Sequence, residues 1–135
     1  MRTPAQILAE SPTIAVVGAS RFEEKTAYAV PLQLKLHGWN IIPVNPHASE
    51  IFGVPCYPSL RDIDVPVDMV NVFRPSEQAA DVVKQAIQIG AKAVWLQQGI
   101  SSAEGRALAE AAGIDYVEDL CVAVVRAVER VSPPG

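Results

Sequence analysis

Two cysteines in 135 residues are too few for a disulfide scaffold, and they point to reduced thiols. The hydrophobic runs are short, and none approaches the ~18 residues that a membrane-spanning helix requires. Residues 1–10 hold one early arginine and an amphipathic helical pattern, but no signal-type apolar stretch. Positive charge is not in excess: 11 Lys and Arg stand against 15 Asp and Glu, a formal net charge of −4. That balance argues against a partner of nucleic acid or of an anionic membrane. Half of the residues are hydrophobic and only 19% are charged, which excludes intrinsic disorder. The two histidines, His37 and His47, have neither metal-ligand nor triad spacing. A soluble, cytoplasmic, globular chain remains. One domain is expected over 1–135, with 1–12 as an N-terminal helix and lead-in and 132–135 as a tail. A domain of this size buries roughly 68–70% of its unfolded surface, enough to stand without staples.

What is present alternates. Short apolar runs at Thr13–Val17, Asn40–Val44, Asp68–Phe73, Ala93–Leu96 and Asp115–Glu118 read as strands. Between them lie helical patterns at Thr26–His37, closed by Gly38, and at Ser76–Ile89, closed by Gly90. Ser76 is expected to cap its helix. Ser101 and Glu104 have capping-box spacing ahead of a helix that ends at Gly113, and Leu120–Val131 reads as the last helix. Strand, helix, strand in repetition predicts a doubly wound α/β sheet of five parallel strands, Rossmann-like, with helices on both faces. Pro31 is the discordant residue: it fits only if its helix starts near Ala29 or is kinked. Residues 45–67 form a long proline-rich connection, with Ile51, Phe52, Val54 and Tyr57 as apolar anchors. Trp39 and Trp95 are expected to pack at strand edges.

In such a sheet ligands sit beyond the carboxyl ends of the strands. Those ends are Gly18-Ala19-Ser20-Arg21 and Lys25 after the first strand, Asn45-Pro46 after the second, Phe73-Arg74-Pro75 after the third and Gln97-Gln98-Gly99 after the fourth. Small residues ahead of a helix offer backbone N–H groups to an anion, and Arg21, Lys25 and Arg74 add charge at the same mouth. A dinucleotide fingerprint is absent, because Ser20 and Glu23 occupy glycine positions and Asn45 stands where an acid should hold a ribose diol. A Walker loop also fails.

Four strings in order, Val16-Val17-Gly18-Ala19-Ser20, Ile42-Pro43-Val44-Asn45-Pro46, Val70-Asn71-Val72-Phe73-Arg74 and Ala93-Val94-Trp95-Leu96-Gln97-Gln98-Gly99, resemble the stand-alone bacterial CoA-binding domain proteins. These are similar to the amino-terminal CoA-binding domain of the succinyl-CoA synthetase alpha subunit. The resemblance spans residues 8–130 and implies coenzyme A, or an acyl-CoA, as ligand. It implies that Gly18, Ala19 and Ser20 meet the pyrophosphate and that Lys25 adds a charge. Asn45 and Pro46 would border the adenosine end, with Phe73, Arg74 and Pro75 beside it. Gln97, Gln98 and Gly99 would contact the chain leading to pantetheine. A neutral Asn45 tolerates the ribose 3′-phosphate, which a carboxylate would repel. In the synthetases the phosphorylated histidine lies in a second domain, so the expectation is a carrier, sensor or partner subunit, or a homodimer, without catalysis of its own. No catalytic residue and no metal ligand is assigned. Gly18 is expected to serve the phosphate alone, so that Gly18→Val would abolish binding and spare the fold. Cys121 reads as a buried, space-filling thiol; the alternative is a small CoA-using or redox-active enzyme with Cys121 as its reactive group.

Overall fold

The computed structural model describes residues 1–134, so of the expected tail Gly135 lies outside the described residues. Along the chain run α1 (Pro4–Ala9), β1 (Thr13–Val17), α2 (Thr26–Leu36), β2 (Asn40–Val44), β3 (Glu50–Ile51), β4 (Val54–Pro55), a 3-10 turn (Leu60–Asp62), β5 (Met69–Val72), α3 (Ser76–Gln88), β6 (Ala93–Leu96), α4 (Ala103–Ala112), β7 (Asp115–Val117) and α5 (Val122–Val128). The five long strands form one sheet in the order β2-β1-β5-β6-β7, and every neighbouring pair is parallel. This is the expected Rossmann-like α/β fold. No described helix is long and apolar enough to cross a membrane.

The strands are apolar on both sides because both sides are covered. On one face Ile14, Val16, Met69, Ala93 and Trp95 meet Leu34 of α2 and Val122 and Val125 of α5. On the other, Ala15, Val70, Val72, Val94 and Leu96 meet Val82, Val83 and Ala86 of α3 and Ala109 of α4. Trp39 and Trp95 belong to the first of these layers rather than to strand edges, a correction to the expectation. Each is at most 2% exposed, and each indole N–H finds a backbone carbonyl, Leu8 for Trp39 and Leu120 for Trp95.

Four local expectations shift. The helix that holds Pro31 starts at Thr26, not near Ala29. Proline has no N–H for the carbonyl four residues back, and that carbonyl, Ala27 O, accepts instead from Ser20 N at 3.1 Å. The loop after β1 thereby replaces the missing helical bond. Ser76 does not cap α3: Pro75 holds the cap position, and Ser76 Oγ accepts from Ser101 N across the gap between two loops. The cap of α4 is Ser102, one residue beyond Ser101, and it accepts from Gly105 N at 2.9 Å. The last helix is shorter than its apolar pattern suggested, beginning at Val122.

The proline-rich connection covers the open edge of β2. Tyr57 donates to Pro43 O at 3.0 Å and accepts from Asn45 N at 2.9 Å, a short parallel bridge. Since the Pro43 carbonyl faces outward, its missing N–H costs the sheet no bond, and a proline is tolerated on this edge. Phe52 and Gly53 (φ +58° and +74°) make the tight turn between β3 and β4. Phe52 also rests on Tyr28 of α2, ring centroids 5.0 Å apart. Ile51 and Leu60 are buried, so the segment is anchored as its apolar residues predicted.

Candidate functional site

The strand order reverses between β1 and β5, and the loops after these two strands diverge there to opposite faces. Gly18 stands at the divergence with φ +89°, and a Cβ on it would come within 3.0 Å of the Phe73 carbonyl oxygen and of Arg74 Cδ. The glycine is therefore demanded by the neighbouring backbone, whatever else it does.

Two clefts open on either side of this contact. The first, of about 660 Å³, has Gly18, Ser20, Lys25, Thr26, Ala27 and Val30 along one wall and Phe73, Arg74, Gln97, Gln98, Ile100 and Cys121 along the other. The second, of about 500 Å³, lies toward β2 and α3 and holds Asn45, Pro46, His47, Ser59 and Gln78 together with Gly18 and Arg74. Both volumes fall in the roughly 300–1,000 Å³ range of small-molecule sites.

Seven expected residues thus line one cleft: Gly18, Ser20, Lys25, Phe73, Arg74, Gln97 and Gln98. Asn45 and Pro46 line its neighbour. Four line neither cleft. Ala19 is fully buried. Arg21 is exposed and lies over the Phe22 ring at 4.9 Å, outside both linings. Pro75 caps α3, and Gly99 donates its N–H to Asp119 Oδ1 at 2.7 Å. Thr26, Ala27, Val30 and Ile100 were not expected, and Cys121 was expected only in the alternative of a reactive thiol. Thr26 and Ala27 could have been found as the first helical positions after the loop; the others are brought in by the fold.

Hydrogen bonding decides which groups remain free. Gly18 N donates to Val44 O at 3.0 Å and Ser20 N to Ala27 O, so the loop after β1 has spent these donors internally. Ser20 Oγ accepts from Phe22 N. The open donors lie one step further on: no side chain caps α2, and Tyr28 N and Ala29 N turn back to Lys25 O. The N–H groups of Thr26 and Ala27 therefore face the cleft mouth with the positive end of the α2 dipole behind them. Lys25 and Arg74 are exposed there, and Gln78 Oε1 holds the Arg74 guanidinium from Nε at 2.9 Å and from the terminal nitrogen at 2.7 Å.

Asn45 is a clamp. Its Nδ2 donates to Ala19 O at 2.9 Å and its Oδ1 accepts from His47 N at 2.7 Å, tying the loops after β1 and β2 together. On the far wall Gln97 is 5% exposed. Its Oε1 accepts from Asn71 Nδ2 at 3.3 Å and from Val122 N at 3.0 Å, closing the start of α5. Asn71 Oδ1, behind it, is buried without a partner among the described residues.

Cys121 is half-buried in the cleft wall rather than enclosed in the core, which corrects the expectation of a space-filling thiol. Cys56 sits in the proline-rich connection near Asn45 O, and burial pushes its thiol up. No group of three His, Cys, Asp or Glu side chains among the described residues could hold a metal ion.

A family model described as CoA binding domain matches residues 12–127. The chain is 39% identical over 125 residues to YneT, an uncharacterised protein of Bacillus subtilis, with 93% of each chain covered. It is 34% identical over 90 residues to an ADP-forming acetate–CoA ligase of Methanocaldococcus jannaschii; the match takes in 66% of this chain but only 13% of the ligase. Among solved structures, a hypothetical protein of Pyrococcus horikoshii superposes with a TM-score of 0.89 at 35% identity, over 96% of this chain and 92% of that one. A Thermus thermophilus protein does so with a TM-score of 0.88 at 33% identity, over 94% and 98%.

Proposed function

The chain belongs to the CoA binding domain family, and from that premise we propose that it binds coenzyme A or an acyl-CoA across the carboxyl edge of its sheet. The observation that carries this reading is the uncapped start of α2, with Lys25 and Arg74 beside it, at the point where the strand order reverses. An anion placed there meets N–H donors, a helix dipole and two cations together.

In this reading the pyrophosphate rests on Thr26 and Ala27, over Gly18 and Ser20. The adenosine end reaches toward Asn45 and Pro46. The pantetheine arm runs along Phe73, Gln97 and Gln98. Asn45 acts through its clamp rather than by direct contact, because both ends of its amide are engaged. The chain spans about an eighth of the acetate–CoA ligase it matches, so ligase chemistry is not part of the proposal. The role is that of a carrier, a sensor or a partner to another subunit, without catalysis of its own.

Mass spectrometry of the purified protein under native conditions should find CoA or an acyl-CoA retained, and calorimetry under reducing conditions should show one CoA per chain. A protein that neither retains nor binds CoA ends this reading.

A further inference from the structure

We propose that Gln78 is a positioning residue that keeps the charge of Arg74 free for the ribose phosphate of the ligand, and so sets the preference for CoA over its dephospho form. The inference rests on the CoA reading of the site and deepens it at one place, the ridge between the two clefts. Gly18 and Arg74 are the residues that line both clefts. In CoA the ribose joins the pyrophosphate to the adenine. With the pyrophosphate on α2 and the adenosine end reaching toward Asn45, the ribose crosses this ridge. The charged side chain that stands there is Arg74.

What Arg74 touches decides what it can do. Its Nε and one terminal nitrogen both donate to a single oxygen, Gln78 Oε1, at 2.9 and 2.7 Å. Two carboxylates, those of Glu77 and Asp81, line the same cleft. Neither takes the guanidinium: the ion pairs among the described residues use Arg2 and Arg106, not Arg74. Asp81 is itself engaged, since its Oδ2 accepts from Gln85 Nε2 at 3.1 Å. Arg74 and Asp81 are thus each held by a neutral amide four residues further on, and not by one another.

An amide oxygen fixes the direction of a guanidinium without cancelling its charge; a carboxylate would do both. Arg74 is therefore oriented and still cationic when an anion arrives, and the outer N–H groups of its fork stay open for phosphate oxygens. Both side chains are exposed, so the worth of the Gln78 bond lies in ordering. A ligand that had to immobilise a free arginine for itself would lose about two- to tenfold in affinity. Gln78 sets that rotamer beforehand.

The test is calorimetry of the whole chain with CoA and with dephospho-CoA, on the wild type, Gln78→Met and Gln78→Glu. Gln78 is exposed, so both substitutions leave the core untouched. Gln78→Met removes the acceptor and should weaken CoA binding about threefold. Gln78→Glu gives Arg74 an internal counter-ion and should weaken it about fivefold at low salt, less as salt rises. Dephospho-CoA should change by less than about twofold in either variant, because it brings no ribose phosphate to couple with Arg74. In an Arg74→Met background, Gln78→Met should no longer lower CoA affinity, since no guanidinium is left to orient. Equal losses with the two ligands, no loss in either variant, or the same loss without Arg74 would overturn the proposal. Any of these, in a wild type that binds CoA, removes this inference and leaves the CoA reading; a wild type that binds no CoA removes both.

Discussion

Gly18 and Phe73 touch where the sheet changes direction: the glycine's Cα faces the Phe73 carbonyl so closely that a methyl group would stand 3.0 Å from the oxygen. With φ at +89° as well, any side chain there meets both steric and torsional strain. Gly18→Ala should cost about 1–3 kcal/mol of stability and Gly18→Val more, read as a lower urea midpoint. This revises the expectation that Gly18→Val removes ligand while sparing the fold. An unchanged midpoint in both variants would show that the two loops move apart freely.

Pro31 should be nearly neutral for a proline inside a helix. The usual penalty of about 3 kcal/mol arises in part from the carbonyl left unpaired four residues back, and here Ser20 N takes that carbonyl. Pro31→Ala is expected to stabilise by less than about 1 kcal/mol, since the Ser20 bond already exists and the buried ring is lost. Thermal unfolding of the two proteins is the check, and a gain near the full penalty would mean that the Ser20 bond contributes nothing.

Tyr116 should make the protein sensitive to alkali. Burial is the chief cause that pushes its phenol well above the ordinary value of 10.0, and the bond of its hydroxyl to Glu118 Oε1 at 2.7 Å adds to it. The folded state thus holds this proton more tightly than the unfolded state. Its contribution is intact below pH 10 and declines as the pH rises above that, because only the unfolded chain then releases the proton. Tyr116→Phe should flatten the fall of stability above pH 10 in denaturant titrations at stepped pH. A slope identical to that of the wild type would place the alkaline sensitivity elsewhere.

CoA should bind at least about tenfold (~1.4 kcal/mol) more tightly than dephospho-CoA, with NAD weaker than either. Lys25 and Arg74 favour the additional phosphate, while no acid follows β2 and the Asn45 amide is spent on its clamp, so nothing rewards a free ribose diol. Both cations are exposed, so the preference should narrow as salt rises. Parallel calorimetry at low and near-physiological ionic strength measures it. NAD binding best, or dephospho-CoA matching CoA at low salt, would contradict the assignment.

The sequence by itself determined the strands, most helix ends and the loops at the carboxyl edge. These follow from local rules: doubly covered strands must be apolar, helices end at glycines such as Gly113 with φ +74°, and parallel strands require crossovers. What a loop residue does with its hydrogen bonds was settled only in three dimensions, because each partner is remote in sequence. Ser20 looked like a phosphate donor until Pro31 left Ala27 O for it to fill. Asn45 looked like a ligand contact until Ala19 O took its amide. Cys121 looked like core packing until β6, through Leu96 and Gln97, drew the start of α5 to the cleft wall. Periodicity records which face a residue turns to the core; only the packed sheet decides which backbone groups are spent and which stay open to a ligand.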